Sequence, residues 1–313
     1  MSVPNVPFKP AALSSNVNIG FPVIVLEVAF LAVFWTWGVS AVLFLRNTYL
    51  PRMPLMDTPQ RHDLPAITVH FQATDGQRLE GWTIPADPSR PWIILCHGVG
   101  SNRADLLDIA AALHAAQFNL LLFDFRGHGG SAGRSTSFGW REQRDVEGAL
   151  AFLGQQPDVP PRPYGIYGIS MGAAVAFMVA SRDERLAAVA ADSPYRDLEA
   201  ALGRHLALMY PLLPRVPFLW FILITYRIRF GVWPSTVSPQ ASARTISPRS
   251  LLLIQGGSDA RVLPDEARSV FAAAGEPRTL WIVEGAGHLE SFASNPDVYL
   301  ERVTAFFEAS LGG

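Results

Sequence analysis

Cysteine is nearly absent: the chain of 313 residues carries one, Cys96. No intrachain disulfide can form, and no Cys-x-x-Cys metal or redox site exists. A chain without disulfides folds in either redox compartment, so cysteine usage leaves location open. Charge of one sign is missing too. Lys and Arg number 25, Asp and Glu 27, and the formal net charge is -2. No basic block marks a nucleic-acid footprint, and no acidic tail marks a solvating arm. Internal repeats and low-complexity tracts are lacking, which removes repeat architectures.

Apolar sequence is plentiful. Hydrophobic residues make up 49% of the chain and mean hydropathy is +0.20. That is more apolar than a typical soluble domain, so part of the chain is expected to meet lipid. The obvious part is the nearly unbroken run 19–45, behind a tail of residues 1–18. As a helix this run would reach about 40 Å, enough to span a ~30 Å hydrocarbon core with tilt. Trp35, Trp37, Phe44 and Tyr49 supply rings near its second half and exit. Glu27 is the awkward residue, placed in the outer third where a carboxylate can snorkel or protonate. A cleaved signal peptide is the alternative, but the run far exceeds an apolar core of about 7–15 residues. Lys9 and the amino terminus precede the run, and Arg46, Arg52 and Arg61 follow it. The positive-inside rule therefore leans towards a cytoplasmic catalytic domain. Residues 46–65 carry Pro51, Pro54, Pro59 and Pro65 and read as a stiff linker.

From residue 66 to 313 the pattern becomes that of one large domain. Runs 66–73 and 78–84 read as strands joined at Asp75-Gly76, a hairpin signal. Further strands are expected at 92–96, 119–124, 163–168, 186–191, 251–255 and 280–284, with helices between most of them. An antiparallel start followed by strand–helix alternation predicts an α/β fold. Its eight-stranded sheet should be mostly parallel, with helices on both faces. Active sites of such sheets lie outside the carboxyl ends of the strands.

Two stretches match Gly-x-Ser-x-Gly, around Ser170 and around Ser131. Nucleophilic chemistry needs the serine on a sharp strand-to-helix turn with small neighbours. Ser170 has a strand before it and an Ala/Val-rich helix after it, whereas Ser131 sits in a loop. The Met171 amide, at the start of that helix, is one candidate oxyanion donor. Cys96-His97-Gly98-Val99-Gly100 ends the third strand, and an amide near Val99 is the candidate second donor. His97 is expected to shape this loop, and Cys96 to be a buried strand residue.

Among seven histidines, His288 follows the last strand and is the candidate base. His128, in Arg126-Gly127-His128-Gly129, more readily structures the rim. The acid must orient the imidazole, and Asp259 follows the seventh strand. Its rivals are Asp265, in the first turn of the next helix, and Asp192, after the sixth strand. Ser170, Asp259 and His288 then occur in the chain order Ser, Asp, His.

With these motifs in place, residues 66–311 resemble the α/β-hydrolase superfamily. The segment Phe123-Asp124-Phe125-Arg126-Gly127-His128-Gly129 and the segment Asp192-Ser193-Pro194-Tyr195 add to the likeness. Within the superfamily the chain is similar to the membrane-anchored abhydrolase-domain group and its serine aminopeptidase-like relatives. That resemblance implies a carboxylic ester, thioester or amide substrate, an acyl-enzyme, and no cofactor or metal. One departure is Gln255-Gly256-Gly257, where relatives often carry His-Gly before the acid.

The stretch 195–243 reads as an apolar, aromatic cap insertion. Phe218, Trp220, Phe221, Tyr226, Phe230 and Trp233 alternate with Arg215, Arg227 and Arg229. It is either a cap packed on the domain or a lid at the membrane surface. In both cases it should cover Ser170 and shape an apolar acyl pocket. Two other functions fit the same fold: a catalytically silent, membrane-tethered binding module, and haloperoxidase-like oxidation.

Overall fold

The computed structural model describes residues 20–156, 159 and 163–312. The expected tail 1–18, with Lys9, lies outside the described residues. Eight strands form one sheet: β1 (Ile67–Gln72), β2 (Arg78–Ile84), β3 (Trp92–Cys96), β4 (Asn119–Phe123), β5 (Tyr164–Ile169), β6 (Leu186–Asp192), β7 (Ser250–Gly256) and β8 (Arg278–Val283). Their order is β1-β2-β4-β3-β5-β6-β7-β8. The pairs β1–β2 and β2–β4 are antiparallel, and every later pair is parallel, as the sequence pattern predicts. Gly76, with φ 81°, supplies the positive φ at the first hairpin.

The helices are α1 (Gly20–Thr48), α2 (Leu107–Ala115), α3 (Gln143–Gly154), α4 (Met171–Ala180), α5 (Leu198–Met209), α6 (Arg215–Phe230), α7 (Pro239–Ala243), α8 (Pro264–Ala273), α9 (Ser291–Ser294) and α10 (Pro296–Leu311). Two apolar cores lie on opposite faces of the sheet. Ile94, Cys96, Leu121 and Phe123 point into the core built with α3, α4 and α8. Their neighbours Ile93, Leu95, Leu120 and Leu122 point into the core built with α2 and α10. Strands covered on both faces have no reason to alternate polar and apolar residues, hence the unbroken apolar runs. Helix α4 is buried along its whole length, so its sequence is apolar all round.

Strand β3 has β4 on one side and β5 on the other. The connection leaving β3 goes to β4 and the one leaving β5 goes to β6, in opposite directions along the sheet, which opens a crevice outside the carboxyl ends of β3 and β5.

A third core holds the insertion. Phe44 of α1 sits with Phe218, Leu219, Ile222, Tyr226 and Phe230 of α6. Trp35 meets Phe218 edge-on, and Trp37 stacks on Phe221. The Trp37 indole N–H also donates to Thr225 Oγ1 at 3.2 Å. Phe44, read as a ring at the membrane exit, is therefore only 2% exposed, because α6 packs over it. The first half of α1 remains bare, with Phe21, Leu26 and Phe30 exposed. Helix α1 is long and apolar enough to cross a membrane. The proline-bearing stretch after it lies on the domain. Arg52 donates to the carbonyls of Gly129 and Gly133 at 2.6 and 2.7 Å, and Asn102 donates to the Pro54 carbonyl at 3.1 Å.

Candidate active site

Ser170 sits between β5 and α4 with φ 50° and ψ −114°. Such a conformation costs about 1–3 kcal/mol in a non-glycine residue and persists only when its surroundings impose it. Both sides do so here. The Ser170 N–H donates to the Asp192 carbonyl at 2.8 Å, and the Ala174 N–H donates to the Ser170 carbonyl at 3.0 Å. The flanking glycines are steric necessities. A Cβ on Gly172 would lie 2.2 Å from the Cys96 carbonyl oxygen, and one on Gly168 would lie 2.5 Å from Gly172 backbone. This packing draws the end of β3 against the elbow.

The structure brings Ser170, His288 and Asp259 together. The Ser170 hydroxyl lies 3.1 Å from His288 Nε2. His288 Nδ1 lies 2.7 Å from Asp259 Oδ2. The serine can donate to the imidazole while the imidazole donates to the carboxylate. Asp259 Oδ1 accepts from the amides of Arg261 and Val262 at 2.7 and 2.9 Å. Burial pushes the Asp259 carboxyl up. The His288 contact and the two amides outweigh burial, so the group stays below its ordinary value and ionised.

Gln255 is a participant that the sequence did not announce. It is fully buried, and its Nε2 donates to Asp259 Oδ2 at 3.0 Å and to the Val262 carbonyl at 2.9 Å. The residue that departs from the usual His-Gly pattern thus pins the loop carrying the acid. Its signals in the sequence are that departure and an uncharged amide at the end of a buried strand, and neither names its partner.

The rival acids are occupied elsewhere. The Asp265 side chain is 94% exposed beside Arg268 at the start of α8. Asp192 is buried and accepts from Tyr299 at 2.8 Å and Ser193 at 2.7 Å. Burial pushes its carboxyl up to about 6.

The loop after β3 comes within van der Waals reach of the serine: a Cβ on Gly98 would lie 3.5 Å from Ser170 Cβ. Val99, Gly100, Met171, Ser170 and His288 line one cavity. Two other histidines shape this loop. His97 Nδ1 donates to the Gly98 carbonyl at 2.7 Å, and its Nε2 accepts from the Phe125 amide at 3.0 Å. Burial drives His97 well below the ordinary imidazole range, so it stays neutral. His128 accepts from the Gly100 amide at 3.1 Å and donates to the Arg126 carbonyl at 2.9 Å. Ser131, the serine of the second Gly-x-Ser-x-Gly, is buried; it accepts from the Glu80 amide at 2.9 Å and donates to the Asp124 carbonyl. Burial pushes the Cys96 thiol far up, which leaves it inert.

The cavity has a volume of about 320 Å³. Its walls are mainly apolar: Leu43, Phe44 and Leu50 from α1 and its exit, Leu202 and Leu206 from α5, and Ile222 from α6. Helices α5 and α6 of the insertion line the cavity that Ser170 also lines. The outer side of α6 leaves Trp220 63% and Ile228 67% exposed. Asn47 of α1 and His205 of α5 are joined by a 3.0 Å hydrogen bond at the cavity. Among the described residues, no group of three or more His, Cys, Asp or Glu could hold a metal ion.

A sheet of this order, with a serine elbow after β5 and late aspartate and histidine loops, defines an α/β-hydrolase. A model of the alpha/beta hydrolase family matches residues 93–302, and the chain belongs to that family. It is 33% identical over 240 residues to an uncharacterized protein of Mycobacterium tuberculosis, covering 76% of this chain and 78% of the relative. It is 28% identical to the uncharacterized protein YfhR of Escherichia coli, covering 79% and 82%. Among solved structures, an esterase of Pyrococcus furiosus superposes with a TM-score of 0.71 at 25% identity, covering 85% of this chain and 99% of the esterase. The acylaminoacyl peptidase of Pyrococcus horikoshii shares the fold, with a TM-score of 0.61 at 18% identity, covering 79% of this chain and 42% of that one.

Proposed function

We propose that the chain is a membrane-anchored serine hydrolase that cleaves carboxylic ester, thioester or amide bonds of apolar acyl substrates. The observation that carries this reading is the Ser170–His288–Asp259 relay, with contacts of 3.1 and 2.7 Å, on a strained strand-to-helix elbow. Ser170 Oγ attacks the acyl carbonyl as His288 Nε2 takes its proton. Asp259 holds the imidazole through Nδ1 and stabilises the imidazolium. The Met171 amide, at the start of α4, and the Val99 amide bind the oxyanion. The bond to the leaving group breaks, and His288 returns the proton to that group. Water then enters, gives a proton to His288 and attacks the acyl-serine; the bond from the acyl carbon to Ser170 Oγ breaks, His288 returns the proton to Oγ, and the acid product leaves. The scheme needs no cofactor and no metal.

The apolar cavity walls favour an acyl chain over a charged or peptidic group, which puts esterase, lipase or thioesterase action ahead of peptidase action. Helix α1 is the anchor. Its 29 residues reach about 43 Å, against a hydrocarbon core of ~30 Å. Arg46 in its last turn, and Arg52 and Arg61 beyond its end, outnumber Lys9 and the amino terminus before it by one charge, which favours a catalytic domain on the cytoplasmic side.

A fluorophosphonate probe tests the serine. The detergent-solubilised wild type should be labelled and Ser170→Ala should not. No labelling of folded wild type would favour a catalytically silent binding module; labelling that survives in the variant would put the nucleophile elsewhere.

A further inference from the structure

Leu43 belongs to two concavities. On one side it lines the cavity of Ser170 and His288. On the other it ends an apolar groove on α1 that begins at Leu31 and passes Phe34, Gly38, Val39 and Val42. Leu31, Phe34, Gly38 and Val42 form one row at three- and four-residue spacing, and Trp35, Val39 and Leu43 form the row beside it, so the two rows share one face of the helix. Gly38 leaves the groove open, since a Cβ there would meet nothing within 4 Å. The groove therefore runs along the one described helix able to cross a membrane by itself and stops at the wall of the candidate active site.

The other rim of the cavity points the same way. Leu208 and Met209 line the cavity and are also 45% and 54% exposed, so they stand at its mouth. Leu212, just beyond them, is 96% exposed. Exposed apolar residues at the cavity, and an apolar groove that ends at its wall, are poorly suited to water and well suited to hydrocarbon. Size adds a third argument. At about 320 Å³ the cavity is near the lower end of small-molecule sites, which run to about 1,000 Å³. A long acyl tail needs further room, and the groove supplies it.

We propose that α1 is a wall of the substrate site as well as an anchor, and that the substrate is an acyl lipid resident in the bilayer. Its chain slides from the lipid along the Gly38 face, past Leu43, and delivers the carbonyl to Ser170. The inference rests on the reading of Ser170 as nucleophile and adds the source and route of the substrate.

The test uses the full-length protein in phosphatidylcholine vesicles. Two substrates are compared: p-nitrophenyl palmitate in the vesicles and p-nitrophenyl acetate in the water. Gly38→Trp fills the groove without meeting any protein atom at Cβ. Displacing about two methylenes from apolar contact corresponds to roughly a tenfold loss. The palmitate-to-acetate ratio of kcat/KM should fall about tenfold or more in the variant. An unchanged ratio, in a protein that hydrolyses acetate and takes the fluorophosphonate, overturns the route and leaves the nucleophile standing. Failure of the wild type on both substrates and on the probe overturns both. A second measurement needs no variant: a long-chain alkyl fluorophosphonate with a diazirine at the chain end is reacted with wild type and irradiated. Cross-links within residues 38–43 support the proposal. Cross-links confined to α5 or α8, or to α1 of a second copy, refute it.

Discussion

Gln255→Met tests whether Asp259, the candidate acid, is held by its own loop or by the strand behind it. The substitution keeps most of the side-chain volume and removes the amide. It deletes the 3.0 Å bond to Asp259 Oδ2 and the 2.9 Å bond to the Val262 carbonyl. A hydrogen bond to a charged group contributes about 1.5–3 kcal/mol, and a neutral one about 1 kcal/mol. The change also removes an unpaired buried oxygen, Gln255 Oε1, whose burial costs about 1–3 kcal/mol. The two effects on folding largely offset, so stability should drop by no more than about 3 kcal/mol. Activity has no such offset. Asp259 keeps the two amides and His288, so it stays ionised, but the oxygen facing His288 loses its second partner. If the lost bond is needed in the transition state, 1.5–3 kcal/mol corresponds to roughly a tenfold to hundredfold fall in kcat. The assay is steady-state hydrolysis of p-nitrophenyl acetate beside a thermal melt. A variant within twofold of wild type in kcat, next to an inactive Asp259→Asn, would refute the positioning role and make Gln255 a filler of the strand end.

Three further outcomes are expected. Phe44→Ala removes a ring that is 2% exposed and packs edge-on against Tyr226 and Phe230. It should destabilise the contact between α1 and the cap by about 3–5 kcal/mol, read as faster proteolysis of 195–243 in detergent; unchanged proteolysis would mean the cap does not depend on α1. Asp192 has its carboxyl pushed up to about 6 by burial, above an unfolded value of 3.8, so the native state holds its proton more tightly. Stability should therefore fall as pH rises from about 4 through about 6, by up to roughly 3 kcal/mol, and Asp192→Asn should flatten that decline in melts across the range. Arg126 is clamped between Asp75 and Asp145, and Arg126→Met should cost about 3–5 kcal/mol by leaving the fully buried Asp145 uncompensated; a melt within about 1 kcal/mol of wild type would contradict this.

The parts of the fold that local chemistry determines could be read from the chain. Runs such as 119–123 are apolar without alternation because both faces of β4 are covered, and that made a central strand recognisable. Ser170 was legible because a strained elbow demands Gly168 and Gly172, whose Cβ atoms would strike backbone. His288 and Asp259 were legible by position, since each follows a strand that ends at the same edge of the sheet. Gln255 was not, because an amide in a strand gives no sign of what it will meet. The docking of α1 was not legible either. A phenylalanine facing lipid and one facing another helix satisfy the same pattern, so Phe44 read as a membrane residue.

The length of α1 fits the two roles proposed for it, an anchor and a wall of the site. A bilayer crossing takes about 20 residues, and α1 has 29. The surplus of roughly nine falls where Ser40, Phe44 and Thr48 are buried at four-residue spacing. That stripe faces the domain; Phe44 within it, and Leu43 and Asn47 beside it, line the cavity. A helix serving only as a tether would need no such stripe. Residues of its last two turns line the cavity of Ser170 and His288, so substitutions there are expected to alter what that cavity accepts.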